Sequence, residues 1–387
     1  MSWMVQRFFD IIRHFFSANK RKRCTVIEQV EEGVRATDAL IDEEEKKLEI
    51  THKRRYSSFD EIRKFFLRRD FIVLALSGDF STTIEGSMVV PRENGTEQIS
   101  EEELEQLIFK GFWGFLNEHR AWTAKKMETT DVDLVLANIE VAEIALGRFN
   151  VVNPIGLKGK NLRIRFRGTF VPRALLPVIA MLRERTNELY VMEADAALSS
   201  FLTDEKGIAL FCKTDYTTIF SVSAEGHRYL RKIPWNLSGL FEKIQNDFGT
   251  EEGVAQELFA CYARNGVSPR IEIRMEKYMR DAFSDLFSLF LKSEGRRLAR
   301  FPRLPIHINC YFPMPNSDKW LTMKKRTELH SLDQRIKKLG ISVSDTKKNT
   351  RISFSTTLLF FYPTSYPKHE FLDQMLRRRA KWLIAYT

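Results

Sequence analysis

The chain has 387 residues, 43% of them hydrophobic and 29% charged, which suits a soluble globular protein with room for two domains and a large core. Its formal net charge of +10 admits anionic partners such as a lipid surface, a nucleic acid or an acidic peptide. Cys24, Cys212, Cys261 and Cys310 stand far apart, with no CxxC pair and no His at ligand spacing, which argues against structural zinc and for a reduced, cytoplasmic protein, and no apolar run approaches the roughly 20 residues of a membrane-spanning helix.

Residues 1–23, MSWMVQRFFDIIRHFFSANKRKR, predict an amphipathic helix followed by a basic run. At about 100° per residue, Met4, Val5, Phe8, Phe9, Ile11, Ile12, Phe15 and Phe16 share one arc. Gln6, Arg7, Asp10, Arg13 and His14 fill the opposite arc, and Lys20, Arg21, Lys22 and Arg23 then supply four consecutive positive charges. Such a helix lies in a lipid interface, its basic run drawn to anionic headgroups by about 1 kcal/mol per charge. Docking on the protein's own core or on a partner would use the same apolar face. The bases follow the apolar stretch instead of preceding it, so a secretory signal is not expected.

From Cys24 to Ile50 the charge inverts, with nine acids and three bases. Residues 25–27, 33–41 and 48–54 read as three short strands with a polar turn at 42–46. Residues 58–68 read as a helix, with a serine N-cap, acids in its first turn and bases in its last. Asp70 to Ser77 is a buried-strand run, residues 79–92 a further strand pair around Gly86, and Ser100 caps a helix reading SEEELEQLIFKGFW. Phe112, Trp113, Phe115 and Trp122 are expected in a core or an interface. After a strand over 132–145 comes RFNVVNPIGLKGKNL, Arg148 to Leu162, where Asn-Pro and two glycines mark a turn. Leu162 to Gly168 then alternates apolar and basic, so Arg163, Arg165 and Arg167 share one face. That face is either the charged protection of an edge strand or a contact to lipid, partner or neighbouring subunit.

The turn resembles the NPxGxxGxxL signature of the bacterial cell-division actin homologue FtsA. The order around it is similar too: SG, then ISEEELEQLI, then NPIGLKGKNL, a helix over 172–186, and a strand-turn-helix junction over 189–200. The resemblance implies an α/β, actin-like two-lobed fold with an FtsA-type strand-helix-strand-strand inserted subdomain. Residues 24–69 would open the first lobe, 70–171 form the insert, 172–206 return to the first lobe and 207–387 form the second. In that family the insert makes longitudinal contacts between subunits and touches other division proteins. The family is anchored by an amphipathic helix at the other end of the chain; here the device would stand at the N-terminus.

The resemblance also implies three nucleotide-binding loops, and the residues depart from each. Where the family's first hairpin carries Asp and small residues, this chain reads Ile27-Glu-Gln-Val-Glu-Glu-Gly33. Glu31 and Glu32 put like charge where phosphate would sit, and Glu28 is the only stand-in for the Asp. Residues 207–222 alternate like a hairpin, continue through Gly226 to Ile233 and look like the family's VDIGGGTTDIAV segment. Aligned on Thr217 and Thr218, Cys212 takes the metal-orienting Asp position, Thr214, Asp215 and Tyr216 take the three glycines, and Ile219 the second Asp. Glycine is needed there because backbone amides must approach phosphate closely. Past a helix over 280–297 and a strand over 304–309, Cys310-Tyr-Phe-Pro-Met-Pro315 replaces the adenosine-binding glycines. The expectation is a pseudo-ATPase without cofactor or metal, with ATP bound at a remodelled site as the alternative.

Residues 237–248 and 251–265 read as helices resembling the part of the last subdomain that, in the family, binds the C-terminal peptide of the tubulin homologue FtsZ. Arg264, Arg270, Arg274, Lys277 and Arg280 would make that surface basic, or simply solvate a helix. A helix is expected near 324–339, a strand over 351–362, and over 370–385 a closing helix with Phe371, Leu372, Met375, Leu376, Trp382 and Leu383 on its apolar face. No P-loop, paired carboxylates, nucleophile–base spacing or nucleic-acid-binding motif is present. The expected function is a non-catalytic, membrane-associated adaptor at the division septum. It would lie peripherally on the inner face of the cell membrane, bind an FtsZ-like or other divisome protein and have self-association as a further option. The alternative is an actin-like scaffold of pilus or secretion assembly.

Overall fold

The computed structural model describes residues 21–30, 33–62, 68–201, 206–213, 215–223, 226–298, 305–310, 327–331, 336–345, 354–364 and 369–380. The chain divides into two compact units, one of residues 1–197, 340–352 and 356–387, the other of 198–339 and 353–355.

In the first unit β1 (Lys22–Val30), β2 (Gly33–Asp42) and β3 (Lys47–Tyr56) form an antiparallel meander. After α1 (Phe59–Ile62) the chain enters β4 (Arg69–Leu76), which pairs parallel with β1 and is buried from Phe71 onward. The insert follows: β5 (Thr82–Pro91), α2 (Glu101–Lys126), β6 (Leu134–Leu146), β7 (Phe149–Asn150) and β8 (Asn161–Pro172). A 3-10 turn and α3 (Leu176–Glu184) then lead back to β9 (Thr186–Glu193), parallel to β4, and on to α4 (Ala194–Ser200).

The second unit repeats the plan. β10 (Gly207–Cys212), β11 (Thr217–Ser223) and β12 (Gly226–Ile233) make a second antiparallel meander. Three helices, α5 (Ser238–Phe248), α6 (Glu252–Ala263) and α7 (Pro269–Leu298), provide the long crossover that a parallel strand requires. β13 (Ile306–Cys310) then pairs parallel with β10, and β14 (Thr327–Ser331) with β13. The resulting orders, β3-β2-β1-β4-β9 and β12-β11-β10-β13-β14, place the opening strand of each sheet at its centre. This doubled sheet, with a subdomain inserted between the fourth and fifth strands of the first, is an actin-like α/β fold.

The remaining chain returns to the first unit. β15 (Ser342–Asp345) extends its sheet alongside β3, followed by α8 (Phe354–Phe361) and α9 (Glu370–Ala380). On α9, Leu372, Met375 and Leu376 are buried in the insert's core with Ile108, Phe112 and Phe166. A register shift in β6 follows Val141, whose N–H is capped by Asp373 Oδ1 at 2.8 Å. The insert is a four-stranded antiparallel sheet, β5-β8-β6-β7, with α2 packed on one face. Ser100 caps α2 by accepting from Glu103 N at 3.1 Å. In the turn before β8, Gly156 has φ +80°, and a Cβ on Gly159 would lie 2.6 Å from Leu146 Cγ, so both glycines are demanded by geometry.

Several elements differ from the sequence expectation. β4 belongs to the lobe's sheet, so the insert begins after it and not at residue 70. Residues 82–91 are one strand, not a strand pair folded around Gly86, because β5 finds its partner in the distant β8. β8 lies inside its sheet, not at an edge. Residues 327–331, expected within a helix, form a strand, while 354–361, expected as a strand, form a helix. In that helix Ser355 to Phe361 are all buried, so no polar face disclosed a helical period. α7 starts at Pro269, well before residue 280, because Met275, Tyr278, Met279 and Ala282 already face the core at helical spacing. Grouping 340–352 and 356–387 with the first unit makes the second smaller than 207–387.

One buried ion pair pins the insert to the lobe's sheet. Lys126 Nζ, at the end of α2, lies 2.8 Å from both carboxylate oxygens of Glu193, at the end of β9. Thr83 N donates to Glu193 Oε2 at 3.2 Å, and Glu193 N donates to Thr83 Oγ1 at 2.8 Å. Burial pushes the Glu193 carboxyl above its ordinary range, and Lys126 opposes the shift. Lys126→Met strands a buried carboxylate and is expected to cost about 3–5 kcal/mol at neutral pH. A raised carboxyl pKa makes the folded state take up a proton more readily than the unfolded chain, so that loss shrinks as pH falls toward the ordinary Glu range. Urea unfolding of the variant at two pH values measures both effects.

Candidate functional site

The two antiparallel hairpins that begin each sheet occupy the positions where the sequence resemblance implies phosphate loops. In the first, Val30 and Gly33 are the last paired residues, so only two residues connect β1 to β2. Those two, Glu31 and Glu32, lie outside the described residues. Glu28 is 6% exposed, and its Oε2 accepts from Arg35 Nη2 at 2.9 Å, Arg35 Nε at 3.2 Å and Thr356 Oγ1 at 2.5 Å. Deeper in the same strands Asp38 accepts from Thr25 Oγ1 at 2.6 Å and pairs with Arg69 at 3.1 Å. Both acids are therefore neutralised internally by guanidinium groups. A metal or a phosphate at Glu28 would have to displace Arg35.

The second hairpin is equally closed. Cys212 pairs with Thr217, and Lys213 N donates to Tyr216 O at 2.9 Å, leaving a two-residue connection. An N–H committed across a hairpin is not available to a phosphate. Thr214, the first connecting residue, lies outside the described residues, while the carbonyl of Asp215 accepts from Asn236 Nδ2 at 3.1 Å. Tyr216 is 6% exposed, with Lys232 Nζ 3.7 Å and Lys213 Nζ 4.8 Å from its ring centre. Tyr216, at a position the resemblance gives to glycine, is thus packed against two lysine stems. Thr217 is buried and donates to Trp235 O at 3.0 Å, so its hydroxyl serves the fold.

Cys212 stands opposite Cys310 in register, both buried in the core of the second unit. The hydrogen bond with Cys212 and burial push the Cys310 thiol well above its usual range. Residues 311–315, the expected adenosine position, lie outside the described residues. Among the described residues no group of three His, Cys, Asp or Glu is placed to hold a metal ion.

The basic candidates separate. Arg163, Arg165 and Arg167 do share a face of β8, but Arg165 pairs with Glu143 at 2.7 Å. Arg167 is buried, pairing with Glu85 at 2.6 Å and Glu140 at 3.6 Å, with Tyr362 beside it. These two arginines are structural, which fits neither a solvated edge strand nor the alternative partner contact, because β8 sits between two strands that carry acids. Arg163 remains exposed. On α7, Arg270, Arg274 and Lys277 are exposed on one face around Ile273, which is 69% exposed. Arg264 is paired with Glu257 at 2.9 Å, apart from that face.

Phe8, Phe9, Ile12, Phe15, Phe16 and Lys20 lie outside the described residues. The strand β1 begins at Lys22, so the expected boundary after residue 23 moves earlier. Arg21 pairs with Glu49 at 3.2 Å and Lys22 with Glu43 at 2.8 Å, while Arg23 N donates to Asp70 Oδ2 at 2.7 Å. The last three residues of the basic run are tied to the first sheet and do not extend a helix. The partners that sequence reading missed, Arg35 and Lys213, follow from the turn length. Counting back from a two-residue hairpin sets Glu28 opposite Arg35 and Lys213 opposite Tyr216.

The doubled sheet defines an actin-like fold, in which Glu28 is paired with Arg35 and Tyr216 is packed at a position the resemblance gives to glycine. No family model matches the chain, and no curated protein matches it. Among solved structures it is similar to one described as the PilM-PilN type IV pilus biogenesis complex, at 13% identity over 94% of this chain and 98% of that one, TM-score 0.41. It is similar to the cytoplasmic domain of EpsL, an inner-membrane component of the type II secretion system of Vibrio cholerae, at 12% identity over 86% and 97%, TM-score 0.35. A Bacteroides thetaiotaomicron protein with an actin-like ATPase fold and unknown function is similar at 9% identity over 89% and 97%, TM-score 0.34.

Tyr216→Ala separates a packed core position from a phosphate loop. The variant is expected to lose about 3–5 kcal/mol in chemical denaturation, as for other buried aromatic truncations. A loop built for phosphate would accept the small residue at nearly no cost.

Proposed function

We propose that the chain is a non-catalytic, actin-like adaptor that holds a protein partner at the inner face of the cell membrane. The observation that carries this reading is the closure of both hairpins. The doubled sheet is kept, while Glu28 is held by Arg35 and Thr356 and the Lys213 N–H by the Tyr216 carbonyl, which supports a scaffold reading over a nucleotide site. Membrane attachment is assigned to residues 1–20, whose sequence spacing would set four phenylalanines on one face of a helix. No helix among the described residues is long and apolar enough to cross a membrane.

The partner contact is assigned to α7, where Arg270, Arg274 and Lys277 surround Ile273. Basic side chains around an exposed aliphatic residue suit a short acidic segment with an apolar anchor. Cell division is the setting that the NPIGLKGKNL turn suggests, with an FtsZ-like tail as the segment. Pilus or secretion assembly is the second reading, and it is the setting named for two of the similar structures. It would bring an integral-membrane protein to the same scaffold.

Flotation of the full chain with phosphatidylglycerol-containing vesicles tests the attachment. The wild type is expected to float and to be released by salt. A Phe9→Glu, Phe16→Glu variant should bind at least about tenfold more weakly, since each buried Phe contributes about 1.5–3 kcal/mol. A wild-type chain that stays in the soluble fraction would remove the membrane from this reading.

A further inference from the structure

The membrane reading leaves unused an apolar and basic tip at one end of the insert's sheet. There β7 and the connection 151–160 carry Phe149, 77% exposed, Val152, 82% exposed, and Leu157, 40% exposed. Around them Arg148, Lys158, Lys160 and Arg163 are exposed, and none forms an ion pair with a described residue. Elsewhere on β8 the arginines are matched, Arg165 by Glu143 and Arg167 by Glu85 and Glu140. From Ile144 to Arg183 the chain has no acid at all. The acids in the neighbouring connection 92–99 are Glu93 and Glu97, so the four cations exceed them at this end.

The tip is held in place, not loosely displayed. Gly156 N donates to Ile99 O and Ile99 N to Leu157 O, both at 2.9 Å. Arg92 Nη1 donates to Gly159 O at 2.8 Å while its guanidinium is gripped by Glu103 at 2.7 Å. A fixed backbone that presents large apolar side chains to water forgoes burial that a small rearrangement would achieve, which marks a contact surface. We propose that this tip is a second lipid-contact site, inserting Phe149 and Val152 into an anionic bilayer surface while Arg148, Lys158, Lys160 and Arg163 meet headgroup phosphates. Unpaired cations beside isolated apolar side chains on turns are the arrangement that suits a headgroup–acyl boundary. The inference rests on the chain being at a membrane, and it adds how the first unit faces that membrane.

The test uses the full chain, with Cys261→Ser removing the one partly exposed thiol; Cys24, Cys212 and Cys310 are buried. Single cysteines at Phe149→Cys, Val152→Cys and Val132→Cys carry an environment-sensitive fluorophore. Val132 is 66% exposed and precedes β6, a strand of 13 residues and so about 40 Å long, at the opposite end of the sheet. On phosphatidylglycerol vesicles that float the chain, labels at 149 and 152 should shift to the blue and be quenched by spin-labelled lipids. The label at 132 should do neither. Lys158→Glu with Lys160→Glu should weaken vesicle binding at least about tenfold at low salt.

If the chain floats but the labels at 149 and 152 stay unquenched, the tip does not touch lipid, and attachment through residues 1–20 stands alone. Labels that become shielded without lipid quenching would show a protein contact, such as a second copy, and overturn the proposal. A chain that does not float at all removes this site together with the membrane reading.

Discussion

A backbone N–H in a tight antiparallel hairpin is spent on its cross-strand carbonyl, and the same N–H cannot also cradle a phosphate. That constraint acts on the second hairpin, and a paired acid plays the matching part in the first. In the second unit the Lys213–Tyr216 bond closes the hairpin, and the buried Tyr216 with its two lysine neighbours occupies the volume beyond it. In the first, a two-residue connection brings Arg35 opposite Glu28, so the nearest acid is neutralised by its own fold. Each sheet gains from this arrangement. A hairpin with internal pairing and a packed aromatic needs no ligand to be complete, so the doubled sheet persists as a scaffold.

The insert shows the same economy of charge. Its central strand β8 carries alternating arginines, and neighbouring strands supply Glu85, Glu140 and Glu143 to match two of them. Arg163, nearer the turn, and the cations of the turn itself have no ion-pair partner among the described residues. A boundary therefore runs across one strand, with structural arginines toward the lobe and free ones at the tip. The Lys126–Glu193 pair, with Thr83, couples that subdomain to the lobe's sheet, so a contact made at the tip is transmitted to a fixed body and not to a loose appendage.

Much of the fold was legible because local signals were strong. The serine cap of α2, the buried run of β4 and the alternation of β8, β10 and β11 all appear where pattern places them. Turn chemistry at Gly156 and Gly159 was equally readable, since a positive φ and a close approach to Leu146 leave few other residues acceptable. What failed was long-range or hidden. β5 reads as a strand pair around Gly86 because its true partner lies some eighty residues away, as in the pairing of Thr82 with Phe170. α8 reads as a strand because its residues are buried all round, and α7 reads short because Ile271-Glu-Ile-Arg alternates before the helical spacing asserts itself. For the candidate site, loss of glycine and acid was visible in the sequence. The replacements were less so, because Arg35 emerges only once the hairpin length is fixed and Lys232 only through the pairing of β11 with β12.

The central claim is that the hairpins have exchanged phosphate binding for internal closure, and titration calorimetry of the full chain with Mg-ATP tests it most directly. The account predicts no saturable heat up to millimolar nucleotide, in the wild type and in Arg35→Met alike. Saturable binding in the micromolar range, lost in Arg35→Met or Tyr216→Ala, would contradict it and show that these side chains hold a nucleotide in place of the missing glycines.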